Sequence, residues 1–282
     1  MTRRGGGMQD RILVFIPMYN CARQIGRVLA QLQNAAVAAH LDGVIGVDNG
    51  STDETLAVAR QALGAVPVRH RALLRNNDNY GLGGSHKVAI GYALEHGYSH
   101  LIVLHGDDQG SIADLLPYLE SGAYREVDCL LGARFMPGSR LEGYSRLRTW
   151  ANVVFNNIFS AVAGQRLYDL GSGLNLYRTA IFRNGFHLKF ADNLTFNYYL
   201  ILGTCLSNLS HRFFPLSWRE DDQVSNAKLF RQGRQMLRLL AHRIVDADGF
   251  LNGEHRTIAR SSYPSTIVSL WEGTGHVERP AD

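Results

Sequence analysis

Up to residue 135 the chain alternates between short apolar runs and stretches with helical spacing, and this alternation restricts the fold more than any other feature. The apolar runs have the length of strands and lie at Ile12–Ile16, Val44–Val47, Val68–Leu74, Leu101–Leu104 and Cys129–Leu131. Between them apolar residues recur at helical spacing, as in Ile25, Val28, Leu29 and Leu32. Strands that alternate with helices build a parallel sheet covered on both faces. The sequence therefore predicts an α/β fold with a doubly wound, mostly parallel sheet and helices on both faces.

The pattern of apolar and charged residues changes after Gly138. Two helices with arginines on one side and two strands are predicted there, at Leu141–Ala163, Ala227–Val245, Gly171–Tyr177 and Phe213–Trp218. We expect one domain over residues 11–245, preceded by a disordered tail (residues 1–10) and followed by an extension of unknown role (residues 246–282). Hydrophobic residues make up 45% of the chain and charged residues 19%, which excludes a largely disordered protein.

Charge and cysteine content exclude further classes of protein. The formal net charge of +4, without clusters of Lys and Arg interleaved with aromatic residues, does not indicate a nucleic-acid-binding protein. Three widely spaced cysteines predict neither a disulfide framework nor a zinc site and are typical of a reducing compartment. No signal peptide precedes the first strand, and no apolar run approaches the roughly 20 residues of a transmembrane helix. We therefore expect a cytoplasmic protein that is soluble or lies on a membrane surface.

Polar residues follow three of the predicted strands. The first strand ends in Pro17–Asn20, the second in Asp48–Asp53 and the fourth in His105–Gln109. Each of these stretches alone is ordinary turn chemistry. Ligands bind outside the carboxyl ends of the strands in an open parallel sheet, and these ends share one edge. We therefore predict that the three stretches form a single binding site.

A glycine-rich stretch, Asn79–Lys87, opens a helix after the third predicted strand. Such a helix start can present backbone N–H groups to phosphate, with Lys87 one turn further along. Its spacing is not GxGxxG, and it follows the third strand rather than the first, so it does not match the dinucleotide-binding fingerprint. A nicotinamide-dependent oxidoreductase is therefore disfavoured.

The segment His105–Gln109 predicts a metal site. Because successive side chains of a strand alternate, His105 and Asp107 project to the same side. Together with the amide oxygen of Gln109 they could hold Mg²⁺ or Mn²⁺ against a diphosphate, since hard divalent ions take oxygen donors and keep positions for phosphate. The alternative is that His105 is a core histidine and Asp108 the N-cap of a following helix. We favour the N-cap for Asp108 and the metal for Asp107.

Taken together, the stretches ILVFIPMYN, VIGVDNGSTDET, NYGLGG, LHGDDQ and GARF resemble the inverting glycosyltransferases of family 2, which have the GT-A fold. Two later stretches, Asp169–Arg178 and Trp218–Leu229, are similar to the branch that contains the dolichyl- and polyprenyl-phosphate sugar synthases. The resemblance covers about residues 11–245. It implies a metal-dependent enzyme, using Mg²⁺ or Mn²⁺, that moves a sugar from a UDP or GDP donor to an acceptor, with polyprenyl phosphate as the expected acceptor.

The resemblance also implies roles for individual residues. The residues implied to bind the nucleotide are Pro17, Tyr19, Asn20, Asp48, Gly50, Gly81 and Lys87. Asp48 would accept a hydrogen bond from a ring N–H of the base. Those implied in catalysis are Asp107, Arg134 and Asp192, and those implied as metal ligands are His105, Asp107 and Gln109. Those implied to bind the acceptor or its phosphate are Asp169, Ser172, Gly173, Arg219, Ser225 and Lys228.

Two residues depart from the family's pattern. Cys21 stands where many members have a glutamate, which bears on the choice of nucleotide. His105 stands where the first aspartate of the DxD motif is expected. Histidine can ligate Mn²⁺, but the site then has one negative charge less.

Three functions remain in competition. The first is transfer to polyprenyl phosphate at the cytoplasmic face of a membrane, which needs no base because the phosphate is already ionised. The second is transfer to the hydroxyl of a sugar or metabolite, with Asp192 as base unless Asp192 is a helix N-cap. The third, suggested by His105, is a nucleotide-sugar-binding protein that has lost catalysis. The arginine-bearing helices could contact an anionic bilayer, or they could be core helices with a solvated side.

Overall fold

The computed structural model describes residues 10–220, 229–273 and 275–277, with the backbone alone at 229–232 and 275–277. Within these residues the strands are β1 (Ile12–Met18), β2 (Gly43–Asp48), β3 (His70–Asn76), β4 (His100–Leu104), β5 (Cys129–Ala133), β6 (Arg140–Glu142), β7 (Leu174–Arg178), β8 (His211–Pro215), β9 (Ser217–Arg219), β10 (Ser265–Glu272) and β11 (Gly275–Val277). The helices are α1 (Ala22–Gln31), α2 (Ala35–Ala38), α3 (Thr55–Gly64), α4 (Gly81–Glu95), α5 (Leu116–Ser121), α6 (Arg146–Ala163), α7 (Phe196–Leu206), α8 (Leu229–Val245) and α9 (Ala247–Asn252).

The main sheet is parallel at its centre and mixed at its sides. In the described part of the chain it has nine strands in the order β11-β10-β3-β2-β1-β4-β7-β5-β8. The central strands β3, β2, β1 and β4 are parallel, and so are β5 and β8. Strand β7 runs antiparallel between β4 and β5, and β10 runs antiparallel to β3. The predicted doubly wound, mostly parallel sheet is confirmed, and β6 and β9 form a separate parallel pair.

Each face of the sheet carries its own apolar core. Leu13 and Phe15 belong to one cluster, while Val14 and Ile16 belong to the other, and all four are fully buried. A strand whose side chains are buried on both faces reads as a continuous apolar run, because alternate residues point to opposite faces. This is why β1 was predictable from its sequence.

The C-terminal region is part of the same domain. Strand β10 pairs with β3 along its whole length, and helix α9 packs on α7 and α8. The extension expected after residue 245 therefore contributes β10 to the main sheet and α9 to the packing around it. The sequence of β10 carries no signal for a partner so distant: Thr266 in β10 donates a hydrogen bond to Asn77, which is 189 residues away.

Two further predictions concern the ends of elements. The helix predicted from Leu141 begins at Arg146, because residues 140–142 form β6 and pair with β9. The predicted tail lies outside the described residues, apart from Asp10. Across the ranges that are described, no helix combines the length and the apolar character that crossing a bilayer requires.

Candidate active site

A cleft of about 370 Å³ lies at the carboxyl ends of β1 and β4, where ligands are expected in such a sheet. Its walls are formed by Pro17, Met18, Tyr19, Cys21, Asn49, Asn79, Gly81, Leu82, Ser85, His105, Gly106, Asp107 and Leu194. The structure therefore brings together residues from the ends of β1, β2 and β4, as the sequence predicts.

The ends of β1 and β4 approach closely because residue 106 is glycine. The Gly106 N–H donates to Pro17 O at 3.3 Å, and a Cβ on Gly106 would lie 2.7 Å from the same oxygen. Cys21 lines the cleft beside them, and burial raises the pKa of its thiol to about 11. Cys21 therefore gives the cleft a neutral side chain at the position where many members of the family have a charged glutamate.

His105 is a partly buried, neutral histidine on the cleft wall. Its backbone N–H donates to Gly173 O at 2.9 Å, and a Cβ on Gly173 would lie 2.9 Å from the His105 ring. Burial and then the positive charge of Arg134 lower the pKa of His105 to about 4. Its Nε2 is buried and has no hydrogen-bond partner among the described residues. The ring therefore has an unused nitrogen, and Gly173 serves to make room for the ring.

Asp107 lies two residues after His105 and also lines the cleft. Burial raises the pKa of its carboxyl, although the Gln109 N–H donates to Oδ1 at 3.2 Å and Arg134 lies nearby. In the described ranges, His, Cys, Asp and Glu side chains form no group of three or more that could hold a metal ion. Any ion held by His105 and Asp107 would need further ligands from Gln109, from its substrate or from water.

Asp108 is not a helix N-cap, and that interpretation is wrong. Its backbone has a positive φ of 58°, and its buried carboxylate lies 2.6 Å from Arg27 Nε and 3.3 Å from Arg219 Nη2. The Gln31 amide also donates to Asp108 at 3.1 Å. Asp108 therefore joins α1 and β9 to the loop after β4, and it holds the half-exposed Arg219 beside the predicted metal site.

Arg134 and Asp169 form a buried bidentate ion pair. Arg134 Nε and Nη2 donate to the two carboxylate oxygens at 2.7 and 2.8 Å, and the Arg134 backbone N–H donates at 2.9 Å. Burial alone would lower the pKa of Arg134, but the charge of Asp169 raises it above its ordinary value. The guanidinium also lies over the ring of Trp218, 4.9 Å from its centroid. The pair therefore fixes the predicted acceptor loop to the end of β5.

Ser172, predicted to contact the acceptor, is only 2% exposed. Its hydroxyl lies 3.3 Å from Leu174 O and 3.2 Å from Asn175 Oδ1. The hydroxyl is therefore committed to the loop itself.

Asp48 lies at the end of β2 but is 1% exposed and does not line the cleft. It accepts from the backbone N–H groups of Gly50 at 3.3 Å and Ser51 at 3.2 Å, and it lies 3.7 Å from Arg75 Nε. Asp48 therefore holds the turn after β2, and its predicted hydrogen bond to a base stays a prediction.

The residue that sequence reasoning missed at this strand end is Asn49, which does line the cleft. Its Oδ1 accepts from Asn76 Nδ2 at 2.9 Å and from the Tyr80 N–H at 2.8 Å, and its Nδ2 donates to Asn79 Oδ1 at 2.8 Å. Asn49 thus links the loops after β2 and β3. The Asn-Gly pair at 49–50 resembles an ordinary turn, so its sequence does not distinguish this role.

Asn20 and Gly50 are nearby but do not line the cleft. Asn20 donates from its N–H to Ser51 Oγ and accepts from the Thr52 N–H, both at 2.9 Å. Gly50, with a φ of +82°, lines a neighbouring recess of about 360 Å³. Asn20 therefore fastens the loop after β1 to the loop after β2.

The glycine-rich start of α4 is packed against backbone rather than open to phosphate. The N–H groups of Gly83 and Gly84 donate to Asp192 O at 2.7 and 3.3 Å. A Cβ would lie 2.5 Å from Asp192 O at Gly81 and 2.4 Å from Ala191 O at Gly83. The glycines are needed for this close approach, and the prediction that the helix start presents its N–H groups to phosphate is wrong for Gly83 and Gly84.

Lys87 does not line the cleft, although Gly81 at the start of the same helix does. Its buried ammonium lies 2.6 Å from Asp192 Oδ1 and 3.1 Å from the Tyr263 hydroxyl, and it also donates to Phe190 O. Burial lowers the pKa of Lys87 to about 8 even though Asp192 opposes that shift. Asp192 is not an N-cap, since α7 begins later, at Phe196. Ser225 and Lys228 lie outside the described residues.

Comparison with known proteins identifies relatives of this chain. The sequence model of the family described as Glycosyl transferase family 2 matches residues 13–186. A polyprenol monophosphomannose synthase of Mycolicibacterium smegmatis is 26% identical over 61% of this chain and 63% of its own length. A dodecaprenyl-phosphate galacturonate synthase of Rhizobium johnstonii is 28% identical over 60% of this chain and 48% of its own. The chain thus matches less than two thirds of the length of these curated relatives.

The solved structures establish the fold. A glucosyl-3-phosphoglycerate synthase from Mycobacterium tuberculosis, in complex with Mn²⁺, UDP-glucose and phosphoglyceric acid, superimposes with a TM-score of 0.61 at 13% identity. The superposition covers 96% of this chain and 96% of that one. The predicted GT-A fold is therefore confirmed.

Proposed function

This chain belongs to glycosyl transferase family 2, and from that premise we propose that it transfers a sugar, with inversion, from a UDP or GDP donor to polyprenyl phosphate. The observation that carries this proposal is the cleft at the strand ends, which is lined by His105 and Asp107. The Nε2 of His105 has no hydrogen-bond partner among the described residues. The two relatives named as polyprenol- and dodecaprenyl-phosphate sugar synthases support the choice of acceptor.

Charge balance supports a divalent cation in this cleft. Arg134 acts on both His105 and Asp107, but Asp169 neutralises it through the bidentate pair. A cation bound at the Asp107 carboxylate would therefore offset the burial that raises its pKa and would favour its ionised form. Asp107, the Nε2 of His105 and the side chain of Gln109 would hold Mg²⁺ or Mn²⁺, with phosphate oxygens and water completing the shell. Bound there, the ion would stabilise the negative charge of the leaving diphosphate by several kcal/mol.

The surroundings of Asp192 favour a phosphate acceptor over a hydroxyl. A hydroxyl acceptor needs a base that reaches it. Asp192 does not line the cleft, and its Oδ1 is already occupied by Lys87 and Tyr263. An ionised lipid phosphate needs no base. A fall in turnover of about 10² to 10⁴ in the Asp192→Asn variant would indicate a general base, and a smaller fall would not.

Exposed apolar residues on two helices support contact with a membrane surface, where a lipid acceptor would be found. On α6, Leu147 is 75% exposed and Trp150 is 65% exposed. Helix α8, which packs against α6, exposes Ile244 and Val245, and its Arg234 and Arg238 are also exposed. Apolar residues flanked by arginines match the apolar interior and anionic surface of a bilayer. Co-sedimentation with anionic vesicles, lost in the Trp150→Ser variant, would test this contact.

The transfer assay decides between the three candidate functions. The protein is incubated with UDP- and GDP-sugars, Mn²⁺ and polyprenyl phosphate in detergent, and the glycolipid is detected by mass spectrometry. We expect one donor to give the glycolipid, with an anomeric configuration opposite to that of the donor. Transfer only to hydroxyl acceptors would favour the soluble transferase. Binding of nucleotide without transfer to any acceptor would favour a protein that has lost catalysis.

A further inference from the structure

A polar cluster around the buried Lys87 ammonium joins three distant parts of the chain. The Lys87 side chain is 0% exposed, and its ammonium donates to Asp192 Oδ1, to the Tyr263 hydroxyl and to Phe190 O. These three acceptors use the full donor capacity of an ammonium group. The Tyr263 hydroxyl in turn donates to Asp192 Oδ1 at 2.7 Å. Tyr263 therefore completes the cluster from the C-terminal part of the chain.

The cluster holds a loop that reaches the cleft. The Asp192 carboxylate is fixed by Lys87 and Tyr263, while its backbone oxygen accepts from the N–H groups of Gly83 and Gly84. Both the carboxylate and the backbone oxygen of Asp192 are thus hydrogen-bonded to α4. Two residues further on, Leu194 is 68% exposed and lines the cleft. A shift of Asp192 would therefore move a wall of the cleft.

The segment that carries Tyr263 is itself fastened to the loop between β3 and α4. Arg260 pairs with Asp78 at 2.6 Å, and the Tyr80 hydroxyl donates to Pro264 O at 2.9 Å. The rings of Tyr80 and Tyr263 meet edge to face, 5.3 Å between centroids. The same loop supplies Asn79 to the cleft, so the C-terminal segment supports two of the cleft's walls.

We propose that Tyr263 is a positioning residue of the transferase site: its hydroxyl fixes Asp192 and, through the loop at 190–195, places Leu194 at the cleft. The family match ends at residue 186, so neither Asp192 nor Tyr263 lies within it. The segment after α9 then positions residues of the site in addition to supplying strands to the sheet. This inference rests on the proposed transfer reaction only for its kinetic consequence.

Hydrogen exchange tests the positioning without any assumption about the reaction. In the Tyr263→Phe variant, which lacks only the hydroxyl, we expect the amides of Gly83 and Gly84 and those of residues 190–195 to exchange about tenfold faster, because their closing interactions are weakened. Exchange in β1 and β5 should not change. The control is Tyr118→Phe, whose ring packs on Phe214 in the other apolar cluster. Unchanged exchange around residues 83 and 192 would overturn the proposal.

Kinetics then test whether the loss of this positioning lowers the rate of sugar transfer. We expect Tyr263→Phe to lower kcat for sugar transfer about tenfold while the Kd for the nucleoside diphosphate stays as in the wild type, a split that a loss of folding would not produce. Tyr118→Phe should match the wild type in both. Equal kcat in Tyr263→Phe and the wild type would overturn the kinetic part. If the wild type transfers no sugar, the proposed function fails, and the exchange experiment still decides the positioning role.

Discussion

Replacing Asp169 by asparagine tests whether the Arg134–Asp169 pair holds the loop beside the cleft. The carboxylate is 2% exposed and the guanidinium 16%, and three hydrogen bonds join the two residues. The variant keeps one carbonyl oxygen but removes the charge and turns an amide N–H₂ towards a cation. Leaving a buried charge without its partner costs about 3–5 kcal/mol. For a chain of this size that corresponds to a fall in Tm of about 6–20 °C.

Denaturation in urea, followed by circular dichroism, measures this loss. The matched control is Glu126→Gln, which removes an ion pair with Arg212 whose side chains are 63% and 41% exposed, and which should cost less than about 1 kcal/mol. The double variant Arg134→Met, Asp169→Leu removes both charges and should lose less stability than Asp169→Asn alone. If Asp169→Asn costs no more than Glu126→Gln, the pair does not hold the loop.

Two further predictions follow from burial. Burial lowers the pKa of His100 to about 4 and of His187 to about 3, so below pH 6.5 the unfolded chain binds more protons than the folded one. The free energy of unfolding should therefore fall by about 1.4 kcal/mol per pH unit for each histidine between pH 6.5 and 4, and a flat profile in urea titrations would contradict this. Gly83→Ala puts a methyl group 2.4 Å from Ala191 O and should cost about 1–3 kcal/mol, whereas Gly91→Ala, in an exposed part of α4 with open space around it, should add about 0.5–1 kcal/mol. Thermal denaturation of the two variants should show opposite signs, and equal signs would contradict the packing described for α4.

The central strands and the meeting of their ends were predictable from local pattern. Apolar runs such as β1 are buried on both faces, and the polar residues that follow them lie at one edge because the strands are parallel. Pro17, His105 and Asp107 therefore reach a common cleft, as the sequence indicates.

What could not be predicted depends on partners far along the chain. Lys87 looks like a phosphate ligand because it follows a glycine-rich helix start, but its partner Asp192 is 105 residues away. Gly81 and Gly83 serve the same contact, because there the backbone of α4 lies directly against the backbone of residues 191 and 192. Asp108 looks like an N-cap, but its positive φ turns it towards Arg27 on another helix. Local spacing carries no information on such tertiary contacts.

The affinity of the protein for nucleoside diphosphates, with and without Mn²⁺, shows whether Asp107 holds a cation in the cleft. By isothermal titration calorimetry we expect UDP or GDP to bind the wild type at least about tenfold more tightly when Mn²⁺ is present, a gain of about 1.4 kcal/mol or more. In the Asp107→Asn variant this gain should disappear, while its binding without Mn²⁺ should equal that of the wild type. Mn²⁺-dependent binding that survives in Asp107→Asn, or binding by the wild type that ignores Mn²⁺, would contradict a cation site built on Asp107.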